Sequence, residues 1–257
     1  MVEYIAEKLK KADLVLVGLG EEVDALTDLK KNPQYLDLAQ KLETSWILSF
    51  VNKIEMEGGL NKRKELYQLL SACLRKKNYF VVSVCMDGLI HHSGLSHDRM
   101  VAPCGGYDKL QCSERCSTEL YDIPEETIRQ VKLFLNGERQ ERELTVPICP
   151  NCGKPLVFNN VDALHYVEEG YLDQWSVYKK WLQGTMNKEV CVLEIGVGMK
   201  YPTVIRWPFE KIAFYNKKAE LFRVHSRLYQ ISEEIKERGH GICEKPEDFI
   251  KELSKML

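Results

Sequence analysis

The chain is 257 residues long, 44% hydrophobic and 29% charged, with 36 Lys and Arg against 38 Asp and Glu. At roughly 150 residues per domain this is one large domain with an insert, or two modest ones. The composition excludes a disordered, collagenous or low-complexity chain, and a formal charge of −2 gives no electrostatic reason to expect a nucleic-acid partner.

The amphipathic start MVEYIAEKLKKAD lacks the compact apolar stretch of a signal peptide. No apolar run approaches the ~18 residues of a membrane span. The expectation is a cytoplasmic protein with neither membrane nor nucleic acid as partner.

Ile5 and Leu9 repeat at helical spacing, and residues 14–17 (LVLV) form a continuous apolar run closed by Gly18-Leu19-Gly20. A strand apolar on both faces belongs in a parallel sheet covered by helices on each side. Leu38, Leu42, Trp46 and Phe50 recur four apart, which predicts one helix over residues 36–54. Gly58-Gly59 breaks the chain, and residues 62–77 predict the next helix, with Leu66, Leu69, Leu70 and Cys73 on its buried face. Residues 79–84 (YFVVSV) are a second buried strand, ending at Cys85-Met86-Asp87-Gly88. Helix feeding strand in this order is the crossover of parallel-sheet proteins.

Between residues 101 and 155 the apolar density drops. One helix is predicted there, over 124–135, with Pro124 at its first position, Glu125 and Glu126 at its positive end, and Asn136-Gly137 closing it. Beyond, residues 172–182 carry Trp175, Tyr178 and Trp181 at helical spacing, read as core packing rather than a peptide platform. Residues 190–195 (VCVLEI) predict a strand ending in Gly196-Val197-Gly198. A helix over 209–219, a strand over 221–224 with His225-Ser226 at its end, and a last helix over 247–257 opened by Pro246 follow. The fold class is α/β: a mostly parallel sheet from residues 1–100 and 157–257, with a small zinc-binding module inserted at 101–156.

Nine cysteines need an account, and four form two close pairs, Cys112/Cys116 and Cys149/Cys152. Without a secretory signal, metal ligation is a better reading than disulfides. Four thiolates closing a tetrahedron describe a structural zinc site, although ligand type alone does not separate zinc from iron. Such a site has no open coordination position, so it holds the fold of the insert. Cys73 and Cys191 lie in apolar patterns as small core residues, and Cys243 carries no assignment.

The glycine turns at 18–20, 87–88 and 196–198, with His225-Ser226, follow strands whose ends converge on one edge of an open α/β sheet, where ligands bind. Glycine amides there suit a phosphate. Glu21 and Glu22 cut against that, since a pyrophosphate beside the first turn would feel their repulsion. Gly18-Leu19-Gly20 falls short of the full G-x-G-x-x-G fingerprint, and no P-loop is present. His91, His92 and His97 read as a polar loop rather than a second metal site. Cys104 in Pro103-Cys104-Gly105-Gly106 is expected to be exposed by its glycines; acting as nucleophile or base would need a lowered pKa and a partner such as His92.

The order of IAEKLKKADLVLVGLG, FVVSVCMDGLIHHSG, APCGG, the two cysteine pairs, VLEIGVG and ELFRVH resembles the sirtuin (Sir2) family of NAD-dependent protein deacylases, from Ile5 to His225. The resemblance implies a Rossmann-like large domain and a small domain with four zinc-bound cysteines, here Cys112, Cys116, Cys149 and Cys152. NAD and an acylated or other peptide segment would meet in the cleft between them. It also implies that Gly18, Gly20, Asp87, Gly196, Gly198 and His225 stand at cofactor-binding positions. Cys104 stands where the family has the catalytic histidine that activates a ribose hydroxyl. The chain departs from the family at Leu19, Glu21 and Glu22, keeps only Asp87-Gly88-Leu89 of the motif that grips nicotinamide and ribose, and has Gly196-Val197-Gly198 for Gly-Thr-Ser. Three readings follow: a sirtuin-like deacylase or ADP-ribosyltransferase with impaired or altered activity, a non-catalytic module for NAD, ADP-ribose or peptide, and a scaffold that no longer binds nucleotide.

Overall fold

Helix α1 (Val2–Lys11) buries Val2, Ile5, Ala6 and Leu9, the three-and-four spacing of an amphipathic helix, and leads into β1 (Leu14–Leu19), which is buried along its whole length. The structure, a computed structural model, describes residues 1–58 and 60–257, so the break expected at Gly58-Gly59 lies, for Gly59, outside the described residues. After β1 come α2 (Ala25–Leu29), α3 (Pro33–Lys41) and α4 (Ser45–Gly58). The single helix predicted over 36–54 is therefore two. Leu42 turns to extended backbone at the end of α3, and the Glu43 amide donates to the Glu141 carboxylate (3.3 Å) instead of continuing the helical ladder. The start of α3 is set by the Asn32 side chain, which accepts from the Gln34 amide, with Pro33 in the first turn.

Helix α5 (Leu60–Leu74) begins and ends earlier than predicted and feeds β2 (Asn78–Ser83). A two-residue strand, β3 (Met100–Val101), follows, then β4 (Gly105–Cys112), α6 (Glu125–Leu135), β5 (Leu156–Asn160) and α7 (Glu169–Gln183). Pro124 sits one position before the first helical residue of α6, as its N-cap. The chain ends with β6 (Val190–Ile195), α8 (Arg206–Tyr215), β7 (Ala219–Val224), β8 (Gly239–Ile242) and α9 (Pro246–Met256). Helix α8 stops before the predicted 219 because Asn216 leaves helical backbone and donates to the Thr185 and Lys188 carbonyls (2.9 and 3.0 Å), freeing Ala219 to open β7.

Six strands make one sheet in the order β3-β2-β1-β6-β7-β8, every pair parallel. The order in which the chain adds strands reverses between β1 and β6, from one side of β1 to the other, and this is the switch point where an α/β sheet opens a crevice. Alternate residues of β1 go to opposite cores: Leu14 and Leu16 to one, Val15, Val17 and Leu19 to the other. Helices α1, α5 and α9 cover the second core, whereas α4, α7 and α8 cover the first.

Strands β4 and β5 pair antiparallel as a separate two-stranded sheet. The stretch read as poor in core residues, 101–155, buries Tyr107, Leu110, Cys112 and Val131, and with Leu156 and Phe158 of β5 these join the first core of the large sheet. Phe158 packs on Phe50 of α4 at 4.9 Å between ring centroids. The aromatic face of α7 is core, as expected: Tyr178 and Trp181 pack on Phe80, and the Trp181 indole donates to Asn78 (2.8 Å). No described helix is long and apolar enough to cross a membrane.

Candidate functional site

Register brings four strand ends level. Leu19 pairs with Ser83 on one side and Ile195 on the other, and Ile195 pairs with Val224. Gly20, Gly196 and His225, each one residue further, therefore lie along one edge. Gly20 meets the third turn backbone to backbone, since a Cβ there would lie 2.2 Å from Val197 Cα. Gly196 needs its left-handed backbone (φ 66°), and Gly18 lets the start of α8 close on β1, where a Cβ would stand 2.4 Å from Ile205.

The amides on this rim are already engaged. The Glu21 carboxylate accepts from the Gly198 amide (2.7 Å) and the Lys200 amide (3.2 Å). The Glu22 carboxylate accepts from the Ser226 amide (3.0 Å) and from the Ser226 hydroxyl. His225 is buried, and its Nδ1 accepts from the Arg227 and Leu228 amides, both at 3.0 Å; burial holds its pKa below the ordinary imidazole value. Arg206, which no local sequence pattern marks, ties the turn down by donating to the carbonyls of Val197 (2.9 Å) and Leu228.

Asp87 works as half of a latch. Its carboxylate accepts from the Ala25 amide (3.0 Å), while Asp24 accepts in return from the Met86 amide (2.8 Å). Asp87 also accepts from the Leu89 amide (2.9 Å) and the Tyr67 hydroxyl (3.3 Å). Both carboxyls are buried; burial first, then the charge of Asp24, pushes the Asp87 pKa up to about 7.

Cys104 is buried, 2% exposed, contrary to the expectation from its glycines. Those glycines serve close packing instead: a Cβ on Gly105 would fall 2.2 Å from the Asn159 carbonyl oxygen. Burial, with the charge of Glu21 next, pushes the thiol up to about 12, so it is protonated at neutral pH. His92, the partner considered for it, lines a cavity that Cys104 does not.

The four paired cysteines do meet. The sulfurs of Cys112, Cys116, Cys149 and Cys152 all lie within 4.8 Å of one another, with Cys112–Cys152 at 3.5 Å and Cys116–Cys149 at 3.6 Å. A tetrahedron with metal–sulfur bonds near 2.3 Å has edges of about 3.8 Å, so the cluster is able to coordinate a metal. Each knuckle is shaped for this. Arg115 (φ 47°) and Gly153 (φ 71°) turn left-handed, and the Asn151 and Cys152 amides point at the Cys149 sulfur. Strand β4 delivers Cys112, and the bridge Ile148–Pro155 closes the second knuckle beside β5.

No protein-family model matches the chain. Among curated proteins it is similar to "Protein ADP-ribosyltransferase" of Staphylococcus aureus strain Mu50, 25% identical over 180 residues, 69% of this chain and 56% of that protein. It is also similar to "Probable bifunctional ADP-ribose hydrolase/ADP-ribosyltransferase" of Fusarium oxysporum f. sp. cubense, 26% identical over 165 residues, 62% of this chain and 28% of that protein. The chain thus spans about half the length of the first relative and less than a third of the second.

Three solved structures show the fold. One, from work on the mechanism and regulation of Sir2 enzymes, has a TM-score of 0.56 and 17% identity, covering 99% of this chain and 96% of that one. A Sir2 homologue mutant in complex with ADP ribose has a TM-score of 0.60 and 12% identity, covering 99% and 96%. Sir2Tm bound to a propionylated peptide has a TM-score of 0.59 and 13% identity, covering 99% and 97%. The chain has the fold of the Sir2 proteins, carried by a divergent sequence.

Proposed function

We propose that this chain is a non-catalytic binding module of sirtuin fold, one that holds a peptide segment and does not turn over NAD. Glu21 carries the reading. Its carboxylate sits on the Gly198 and Lys200 amides at the switch point, the donors an entering phosphate would need, and it repels any anion that approaches them. The rest of the rim supports the same conclusion. A thiol with a pKa of about 12 in the base position cannot take a proton from a ribose hydroxyl, and the Asp87 carboxylate is spent on backbone amides.

A peptide suits the space that remains. A cavity of about 440 Å³ opens between the helices after β1 and the cysteine-bearing module, lined by Tyr35, Leu48 and Asn52 on one side and Tyr107, Phe158 and Leu164 on the other. Sir2Tm has been solved with a propionylated peptide, which supports an acylated or similar segment as occupant. The four thiolates would hold zinc in a closed structural site that fixes the wall of this cavity and takes no part in chemistry.

The names of both curated relatives favour a second reading, ADP-ribosyl transfer from NAD. Nicotinamide release from NAD and calorimetric titration with ADP-ribose separate the two. The wild type is expected to release no nicotinamide and to bind ADP-ribose only weakly, with Kd of about 1 mM or above, while Glu21→Ala, with two amides freed, gains at least about tenfold in ADP-ribose affinity. Nicotinamide release by the wild type that disappears in Cys104→Ala would instead establish the transferase.

A further inference from the structure

The strand β3 and the start of β4 border a larger cavity, of about 590 Å³, which no rim glycine lines. Its volume falls within the roughly 300–1,000 Å³ of small-molecule sites. Met100, Val101, Ala102 and Leu120 give it an apolar floor, and Gly105 and Gly106 add bare backbone. Two pairs of parallel rings stand in its walls. His91 and His97 stack at 5.8 Å with 11° between planes, and Tyr166 and Tyr171 stack at 6.3 Å with 22°.

The polar lining is unbalanced. Lys53, Lys109 and three imidazoles face a single carboxylate, Asp108. That carboxylate is held in the wall: it stands 3.6 Å from Lys53 and 3.8 Å from His91 Nε2, and it rests against Gly88, where a Cβ would fall 2.2 Å away. Glu57 and Asp122, which pair with the two lysines at 3.2 and 2.6 Å, lie outside the lining. No hydrogen bond to the ring nitrogens of His91, His92 or His97 occurs among the described residues. The cavity therefore offers flat apolar surface and, in its lining, two lysines and three imidazoles against one carboxylate that already sits beside Lys53 and His91. Among the described residues the four cysteines are the one group of His, Cys, Asp and Glu set closely enough to share an ion, so these imidazoles favour an organic anion over a metal ion.

We propose that this cavity is a binding site for a small planar organic acid, with its ring against the tyrosine and imidazole stacks and its carboxylate among Lys53 and the histidines. The inference goes beyond the reading of the rim and holds whether or not that reading does.

The probe is 2-naphthoate, with naphthalene-2-methanol as its uncharged counterpart, and the readout is the imidazole NMR signals, assigned by single substitutions. The chain has only six histidines, and His225 and His240, which do not line the cavity, serve as internal references. Naphthoate is expected to move the signals of His91 and His97 and leave the references unmoved, with the alcohol binding at least about tenfold more weakly. His97→Ala, a change at an exposed residue, is expected to weaken naphthoate about tenfold while the thermal midpoint of the free protein stays put. Three results would overturn the assignment: no movement of the cavity histidines at about 5 mM naphthoate, equal movement of all six, or equal affinity for acid and alcohol.

Discussion

Two of the places where backbone amides gather around negative atoms, the sheet rim and the small module, differ in what completes them. On the sheet rim, the amides of Gly198, Lys200 and Ser226 meet the carboxylates of Glu21 and Glu22. In the small module, the amides of Asn151 and Cys152 meet the Cys149 sulfur, and those of Glu114 and Cys116 meet the Cys112 sulfur. Carboxylates carry their charge at neutral pH without help. Four thiols within 4.8 Å of one another cannot all ionise unless a cation stands between them. The rim amides are met by the chain itself, whereas the module carries a cysteine cluster able to coordinate a metal.

Removing the ion should produce the larger effect. Cys149→Ser is expected to take bound metal from one equivalent per chain to none, measured by elemental analysis of the purified protein. Structural zinc contributes on the order of 10 kcal/mol to the folding of small metal modules, so residues 113–155 should become open to limited proteolysis. Strands β4 and β5 should resist longer, because Phe158 and Tyr107 are part of the first core. Full metal content and unchanged proteolysis in the variant would remove the contrast between the two regions.

The rim should be broken by the smallest addition of atoms rather than by a chelator. Gly20→Ala places a methyl 2.2 Å from Val197 Cα and 2.4 Å from the Gly196 carbonyl oxygen, backbone that cannot move without parting the ends of β1 and β6. A loss of about 3 kcal/mol is expected in urea unfolding. Gly58→Ala, where nothing lies within 4 Å at the end of α4, is the reference and should be neutral or stabilise by about 0.5 kcal/mol. Equal effects at the two glycines would mean that the rim is not closed in solution.

How much of this could be read from residues alone follows the same division. Strands β1, β2 and β6 were legible because burial on both faces leaves an unbroken apolar run with glycine or a polar turn behind it. The cysteine tetrad was legible because both knuckles are local. Strands β4 and β5 were not, since GGYDKLQC and LVFNN mix polar and apolar residues and are defined by each other across 44 residues of chain. Helices α3 and α4 merged in the reading because Leu38, Leu42, Trp46 and Phe50 keep a four-residue spacing through the break, whereas the capping pair Asn32-Pro33 marks where α3 begins. The carboxylates of Glu21 and Glu22 were read as opposing a phosphate. Their hydrogen bonds to the Gly198 and Ser226 amides are contacts at separations of 177 and 204 residues, which no local pattern encodes.

Beneath the rim, the Asp24–Asp87 latch offers a finer test, because both carboxyls are buried and, among the described residues, neither accepts a hydrogen bond from a basic side chain. Asp87 has a pKa of about 7 in the fold against about 3.9 in an unfolded chain. Between about pH 4 and 7 the folded state holds a proton that the unfolded state has released, so stability falls as pH rises, by at most about 1.4 kcal/mol per unit for one proton. Glu194, buried beside Arg223, is shifted upward as well, and the module has its own pH dependence. Asp87→Asn separates these, since it cannot ionise and shares every other group with the wild type. At pH 5 the variant should be the less stable by about 1–2 kcal/mol, because an amide oxygen replaces only one of the two acceptors facing the Ala25 and Leu89 amides. As pH rises to 7.5 the wild type loses about 2.5 kcal/mol through this one group, so the gap should close and then reverse. Urea midpoints for both proteins across that range measure the difference directly, and a gap that stays constant would mean that the latch does not titrate there.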